Sequence, residues 1–338
     1  MYFYIHRNTL YKNDKMELRK GYIMRYIEEL REGMMVADIY LCKNKTIAKT
    51  KAGKTYYSLL LQDKTGNLDA KIWELTNGIE NFEQMDYVKV EGLVTSFQGS
   101  LQLSVKRLRK AYEGQYDPAD YIPCTDKNVD EMYKELGALV NSVKNTYLKQ
   151  LLLAFFGDKE FAAKFKAHSA AKSVHHGFMG GLLEHTLAVA KLCDFYASQY
   201  PILNRDLLIT CALCHDIGKT KEISTFPEND YTDEGQLVGH IVMGTIMLDE
   251  KMKQIPGFPA KLGNEVKHCI LAHHGEYEYG SPKKPALIEA IALNKADDTD
   301  AKIQTFKEAL MENKENNGWL GFNRLFESNI RQTGKYEK

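Results

Sequence analysis

The sequence carries no surplus of charge: its 45 Lys+Arg are matched by 45 Asp+Glu. That balance excludes a uniformly basic nucleic-acid binder but leaves room for a local basic face. No apolar run reaches the length of about 18 residues that a membrane-spanning helix requires, so no membrane partner is expected. The opening stretch from Met1 to Lys15 lacks an apolar core followed by small residues, so no secretory signal is expected and the protein reads as cytoplasmic. Six cysteines in 338 residues are too sparse for a disulfide scaffold. Cys211 and Cys214 form a C-x-x-C inside an apolar helical run with no second pair at zinc spacing, which predicts core thiols. Internal repeats and low-complexity segments are absent as well. What remains is an ordinary globular composition, 44% hydrophobic and 27% charged, at a length that favours two domains.

The pattern changes along the chain. Residues 1–23 are polar and aperiodic and read as a loose arm. Residues 24–110 hold short β-type runs separated by turn signals, the clearest being Asp63-Lys64-Thr65-Gly66-Asn67 between TYYSLLLQ and LDAKIWE, with another at Gln98-Gly99-Ser100. Five short strands in so small a span predict an all-β barrel, the OB-fold being the commonest of that size, with an SH3-like barrel as the alternative. Residues 111–128 lack periodicity and read as a linker. Residues 129–330 are helical nearly throughout, opening with Met132, Leu136, Leu139, Val140 and Val143 on one stripe. Residues 331–338 read as a tail. Trp319 and Phe322 are expected to dock the last helix.

Nine of the ten histidines fall between His168 and His274. His185 shares a helical face with Leu182, Val189, Leu192 and Tyr196. His215, followed by Asp216, closes a run on the face of Leu208 and Ala212. His240 is in register with Leu237, Gly244 and Met247, and His273 with Leu262, Val266 and Ile270. Asp297 ends a run in register with Ala286, Ala290 and Leu293. Each ionisable group therefore sits on a stripe that should face the core. A single histidine there is more often a hydrogen-bonded core residue than a ligand. A buried carboxylate is costlier and needs a cation or donors. Inward imidazoles on several helices together with two aspartates predict a shared divalent cation, or two. Mixed imidazole and carboxylate ligation suits Mn, Fe, Zn, Co or Ni rather than Ca, and the absence of cysteine favours an open, catalytic site.

The pattern His185…His215-Asp216…Asp297 resembles the H…HD…D signature of the HD-domain phosphohydrolases, with HDIGK (His215 to Lys219) its most specific fragment. The resemblance implies an all-α metalloenzyme in which His185, His215, Asp216 and Asp297 hold one metal, with Asp298 the runner-up for the last carboxylate. Asp216 would bridge to a second metal held by His240, His273 and His274. Lys219 would lie near the scissile phosphate, and His176 is the reserve substrate contact. A small barrel followed by HHGFMGGLLEHT (His175 to Thr186) and AHHGEYEYGSPKKP (Ala272 to Pro285) is similar to the YhaM-type 3′→5′ exoribonucleases, over most of the chain. The HHG and GSP here depart from the HHE and GYP of the cyclic-dinucleotide branch. The expected cofactors are two divalent ions, manganese first, with Co, Fe, Ni or Zn as alternatives. Gly180, Gly181 and Gly275 would either let backbone approach a substrate or simply punctuate helices.

The barrel segment from Met34 to Lys110 carries 12 Lys+Arg against 8 Asp+Glu. Lys43, Lys45, Lys49, Lys51 and Lys54 cluster ahead of Tyr56 and Tyr57. Lys71 and Trp73 share a strand face, and Phe97 leads into a turn. Basic residues interleaved with aromatics predict single-strand binding through Lys45, Lys54, Lys71, Trp73 and Phe97, although Trp73 taken singly reads as core. The expected partner is single-stranded RNA, with single-stranded DNA as a further substrate and self-association left open. The rival readings are an HD phosphohydrolase of small nucleotides with a regulatory barrel, and a nucleic-acid-binding protein whose metal site is structural.

Overall fold

The computed structural model describes residues 24–50, 52–97, 100–172, 176–312 and 318–334. The expected arm at 1–23, Lys51, the turn residues 98–99 and His175 lie outside them. The chain divides into two compact units, Met1–Pro123 and Cys124–Lys338.

The first unit is a closed barrel of β1 (Met35–Lys49), β2 (Thr55–Asp63), β3 (Gly66–Ile72), β4 (Tyr87–Phe97) and β5 (Ser100–Lys110) in the order β1-β2-β3-β5-β4. Strands β3 and β5 pair in parallel, and the other neighbours are antiparallel. This is the OB-fold topology. Period-2 alternation builds it: Val88, Val90 and Val94 of β4 point inward with Tyr40, Leu61, Ile72 and Leu103. The two-residue β2–β3 turn is locked by Asp63, which accepts from the backbone N–H of Thr65 and Gly66 and from the Thr65 hydroxyl.

The segment expected as a linker is only partly one. Ala111 and Tyr121 are buried beside Ile39 and Leu41, Tyr116 stacks on Tyr87 at 3.8 Å, and Gln62 donates to the Tyr121 carbonyl. These contacts have no helical or strand period, so a pattern search passes over them. The boundary between units falls within the last part of that segment.

The second unit runs through α1 (Val129–Ser142), α2 (Thr146–Phe156), α3 (Lys159–Ala167), α4 (Gly181–Gln199), α5 (Arg205–Cys214) and α6 (Lys219–Glu222). It continues with α7 (Asp233–Val238), α8 (His240–Lys253), α9 (Ala260–Leu271) and α10 (Ile288–Glu312). Helix α5 is buried on every side from Leu207 to Cys214, and α4 is buried through most of its first half, so these two form the middle of the core. The end of the unit corrects the helical expectation. Strands β6 (Trp319–Asn323) and β7 (Ser328–Arg331) form a hairpin. Trp319 and Phe322 are about two-thirds exposed on it, not docked under the last helix. Five cysteines are buried, and Cys124 alone is exposed.

Candidate metal centre

His215, His240 and His273 meet because helices start or end where they stand, and His185 joins them from the first turns of α4. His215 follows the last residue of α5 and donates from Nδ1 to the Ala212 carbonyl at 2.8 Å. His273 stands just past α9 and donates from Nδ1 to the Ile270 carbonyl at 2.6 Å. The last carbonyls of a helix have no partner within it, and each imidazole takes one three residues back. His274 donates from Nδ1 to the Tyr279 carbonyl at 2.8 Å. His240, the first residue of α8, uses Nδ1 on Glu222 Oε1 at 2.9 Å, and His185 in α4 uses Nδ1 on Asp300 Oδ2 at 2.7 Å. In the neutral form of each ring these bonds place the proton on Nδ1 and leave Nε2 as the nitrogen with a lone pair for a metal.

Asp216 lies among these nitrogens. Its Oδ2 is 3.3 Å from His215 Nε2 and 3.5 Å from His185 Nε2. Its Oδ1 is 3.6 Å from His240 Nε2 and 3.9 Å from His273 Nε2. The carboxylate is 2% exposed, yet neither oxygen receives an aligned hydrogen bond, and Nε2 of His240 and of His273 is likewise without a partner. Asp297 Oδ1 stands 3.1 Å from His185 Nε2, and the Nε2 atoms of His185 and His215 face each other at 3.2 Å. Lone pairs and anionic oxygens converging in a buried space repel one another unless positive charge sits between them. A divalent cation fits this donor set.

Gly218 makes the turn after Asp216 possible. A Cβ there would come within 2.0 Å of the His240 carbonyl and 2.8 Å of the Gly244 N–H. The absent side chain lets the start of α8 lie on the HDIGK turn and brings His240 opposite Asp216.

The electrostatics are those of a site built around positive charge. Burial pushes the Asp216 carboxyl up, but Lys219 and His215 hold it well below the usual carboxylate range. Lys219 Nζ is 2.7 Å from Asp216 Oδ2, and although burial disfavours its charge, Asp216 holds its pKa above the ordinary lysine value. Burial likewise opposes charge on His185, yet Asp297 and Asp300 carry its imidazole up to about 9. Burial and then the neighbouring His274 push His273 well down, which keeps that ring neutral and able to ligate.

His185, His215, Asp216, His240, His273, His274 and Asp297, all named by the sequence, come together, with Lys219 against Asp216. Asp298 does not join them: it turns out to an ion pair with Lys302 at 2.9 Å. His176 is placed differently from a substrate contact. It is 2% exposed and its Nε2 is 3.1 Å from Asp300 Oδ2. Two of the expected helical registers also change. Gly239, at φ +76°, ends α7 and starts α8, so Leu237 is 86% exposed and off the stripe of His240. Asp297 lies in the middle of α10, and Ala286 precedes that helix. The glycines serve the chain's own packing: a Cβ on Gly181 would strike the His176 carbonyl at 2.1 Å, and one on Gly275 the Asn294 side chain at 2.7 Å. Sequence reasoning missed Asp300 and Glu222. Asp300 was within reach, one helical turn beyond Asp297; Glu222 carried only its position in the turn of helix after HDIGK.

In the barrel, Trp73 is 42% exposed rather than core and packs its ring 4.8 Å from that of Tyr56, and Phe97 is 61% exposed. Lys54 reaches Glu74 at 3.2 Å, and Lys71 donates to the Ser58 hydroxyl at 2.6 Å. Lys45 is turned inward. Its ammonium donates to the Phe82 carbonyl and lies over the rings of Tyr57 and Phe82.

The HD-domain family model matches residues 182–302, the stretch that holds His185 through Asp297, and an HD domain implies a divalent metal. Two relatives named 3′-5′ exoribonuclease YhaM, from Geobacillus sp. (strain WCH70) and Bacillus subtilis (strain 168), are each 33% identical to this chain. They align over 279 and 284 residues, covering 81% and 82% of this chain and 84% and 88% of theirs. The second OB-fold domain of replication protein A from Methanococcus maripaludis is similar over 27% of this chain and 97% of its own, at 21% identity and a TM-score of 0.23. With an HDIGK centre on helix ends and these relatives along most of its length, the chain belongs to the YhaM family of 3′-5′ exoribonucleases.

Proposed function

We propose that the protein is a cytoplasmic, metal-dependent 3′→5′ exoribonuclease that hydrolyses phosphodiester bonds of single-stranded RNA to nucleoside 5′-monophosphates, with single-stranded DNA as a further substrate. The observation that carries this reading is Asp216, a buried carboxylate whose two oxygens face two different groups of histidines. His185, His215, Asp216 and Asp297 would hold one divalent ion, and Asp216, His240, His273 and His274 a second. Manganese is the first candidate for both. When bound, such ions would acidify water and offset charge on the phosphate oxygens.

The chain's own residues do the rest. The Nδ1 hydrogen bonds keep every Nε2 lone pair turned inward. Lys219 contributes a fixed positive charge beside Asp216 for an anionic substrate. In the barrel, Tyr56 and Trp73 offer stacking faces for bases, with Lys54 and Lys71 for phosphates. Paired strands entering such a centre would first have to unstack, at roughly a few kcal/mol per base. An unpaired end enters without that penalty, which supports removal of nucleotides one at a time. The relatives' name supports the 3′ end as the starting point.

The test is RNA labelled at its 5′ end and incubated with the protein and Mn²⁺. A descending ladder that stalls at a 3′-terminal stem-loop is the expected result. Internal fragments preceding the ladder, or cleavage of a circular strand, would reject it. Hydrolysis of free nucleotides with RNA left intact would favour the small-nucleotide phosphohydrolase, and binding without turnover the structural metal site.

A further inference from the structure

All five imidazoles of the centre are anchored through Nδ1, but their anchors differ in kind. His215, His273 and His274 lean on backbone carbonyls. His185 and His240 lean on carboxylates, Asp300 and Glu222. The two carboxylate-backed rings stand on opposite sides of Asp216. His185 accompanies His215 at Oδ2, whereas His240 accompanies His273 at Oδ1. Each half of the centre therefore contains one such ring. A carboxylate behind an imidazole fixes its tautomer and raises its basicity as a ligand more than a carbonyl does.

We infer that Asp300 and Glu222 are positioning residues that govern the two cation positions separately, Asp300 through His185 and Glu222 through His240. The inference rests on the two-position reading above and adds an independent control for each position.

The two carboxylates have no hydrogen-bond partner in common. Asp300 lies on α10, and the same oxygen that receives His185 also receives Nε2 of the buried His176 at 3.1 Å. His176 is itself tied to α10, because its backbone N–H donates to Glu308 Oε1, which Gln304 also holds. Glu222 ends α6, whose backbone continues directly from the HDIGK turn. Its Oε1 takes both the ring and the backbone N–H of His240, each at 2.9 Å, so it caps α8 while it aims the imidazole. The Glu222 carbonyl accepts from the Thr232 N–H at 2.9 Å, which ties it to the segment leading into α7. One support runs through α10 and the His176 loop, the other through α6 and the residues before α7. The two segments meet away from the carboxylates, where Asn229 donates to the Ala171 and Lys172 carbonyls and His168 Nε2 lies 3.1 Å from the Ile223 carbonyl, so each carboxylate keeps hydrogen bonds of its own.

The experiment is calorimetric titration of the full-length chain with Mn²⁺, on wild type, Asp300→Asn, Glu222→Gln and the double variant. Thermal unfolding of each chelator-treated protein is measured in parallel. The wild type should take up two equivalents. Each single amide variant should weaken one binding step by about 10- to 100-fold and leave the other, and the double variant should weaken both. The amides keep the shape of the carboxylates, so the chelator-treated variants should unfold within a few degrees of wild type. His176→Gln should weaken only the step that Asp300→Asn weakens, with no further loss in combination. Equal weakening of both steps by either single variant overturns the inference, as does a double variant no worse than a single one. So does metal loss accompanied by unfolding of the chelator-treated singles. A wild type that binds one cation overturns the two-position reading together with the inference, whereas two cations with unselective loss overturn the inference alone.

Discussion

Each unit withdraws an aspartate from water, and the two are treated in opposite ways. In the barrel, Asp63 has no exposed surface and receives four hydrogen bonds, from the backbone of Ile27, Thr65 and Gly66 and from the Thr65 hydroxyl. In the helical unit, Asp216 is equally buried and its oxygens receive no aligned hydrogen bond, while lone-pair nitrogens surround it. A buried carboxylate costs several kcal/mol unless donors or a cation compensate it. The chain supplies the compensation for Asp63 in full; Asp216 has the Lys219 ammonium at Oδ2 alone, and its Oδ1 faces imidazole nitrogens that only a further cation would reconcile with it. A carboxylate supplied from within holds a fold together, and one left open binds an ion.

Substitution separates these roles. Asp216→Asn should bring RNA hydrolysis to background and abolish Mn²⁺ uptake, while the chelator-treated protein unfolds close to wild type. If turnover persists, the contrast collapses. Removing the rings of Tyr56 or Trp73 should weaken RNA binding by about 1–3 kcal/mol per stacked base, with hydrolysis of a small chromogenic phosphodiester unchanged. Equal losses on both substrates would mean the aromatic pair acts on the centre and not on the strand. Asp63→Ala should lower barrel stability by about 1–3 kcal/mol, the penalty for orphaned donors, and leave metal uptake intact. Urea unfolding followed by Trp73 fluorescence measures it. The smallest effect is at Lys45, already engaged with the Phe82 carbonyl. Lys45→Met should leave the salt dependence of RNA affinity unchanged, whereas neutralising Lys54 should reduce its log–log slope by about one.

Periodicity made the barrel readable, since alternating Val88, Val90 and Val94 and the Asp63–Asn67 turn fix strand and hairpin locally. It made the metal centre readable too, because a carboxylate on an apolar stripe stands out wherever the helix begins or ends. The sequence leaves the choice between Asp297 and Asp298 open, and the helix makes it: successive residues point about 100° apart, and Asp298 turns to solvent and Lys302. Periodicity failed where it was carried through a break. The stripe drawn across Gly239 enlisted Leu237, which the change of direction at φ +76° leaves outside. It also cannot show where a side chain bends back, so Lys45 read like the other lysines of its cluster. Glu222 escaped because its partner is an imidazole 18 residues away in sequence; Asp300 stands one turn beyond Asp297, but its pairing with an imidazole 115 residues away is not written in that spacing. Contacts at such separations are a property of the tertiary fold.

The unequal exposure of the cysteines has a practical side. Burial pushes the thiols of Cys193, Cys211 and Cys214 up, away from the thiolate form that reacts. Cys124 alone is open to solvent, and it is the first residue of the helical unit. The unaltered protein thus offers one chemically addressable handle, at the start of its helical unit. A maleimide dye should attach there with near-unit stoichiometry under native conditions, and further labelling only on denaturation would count the buried thiols one by one.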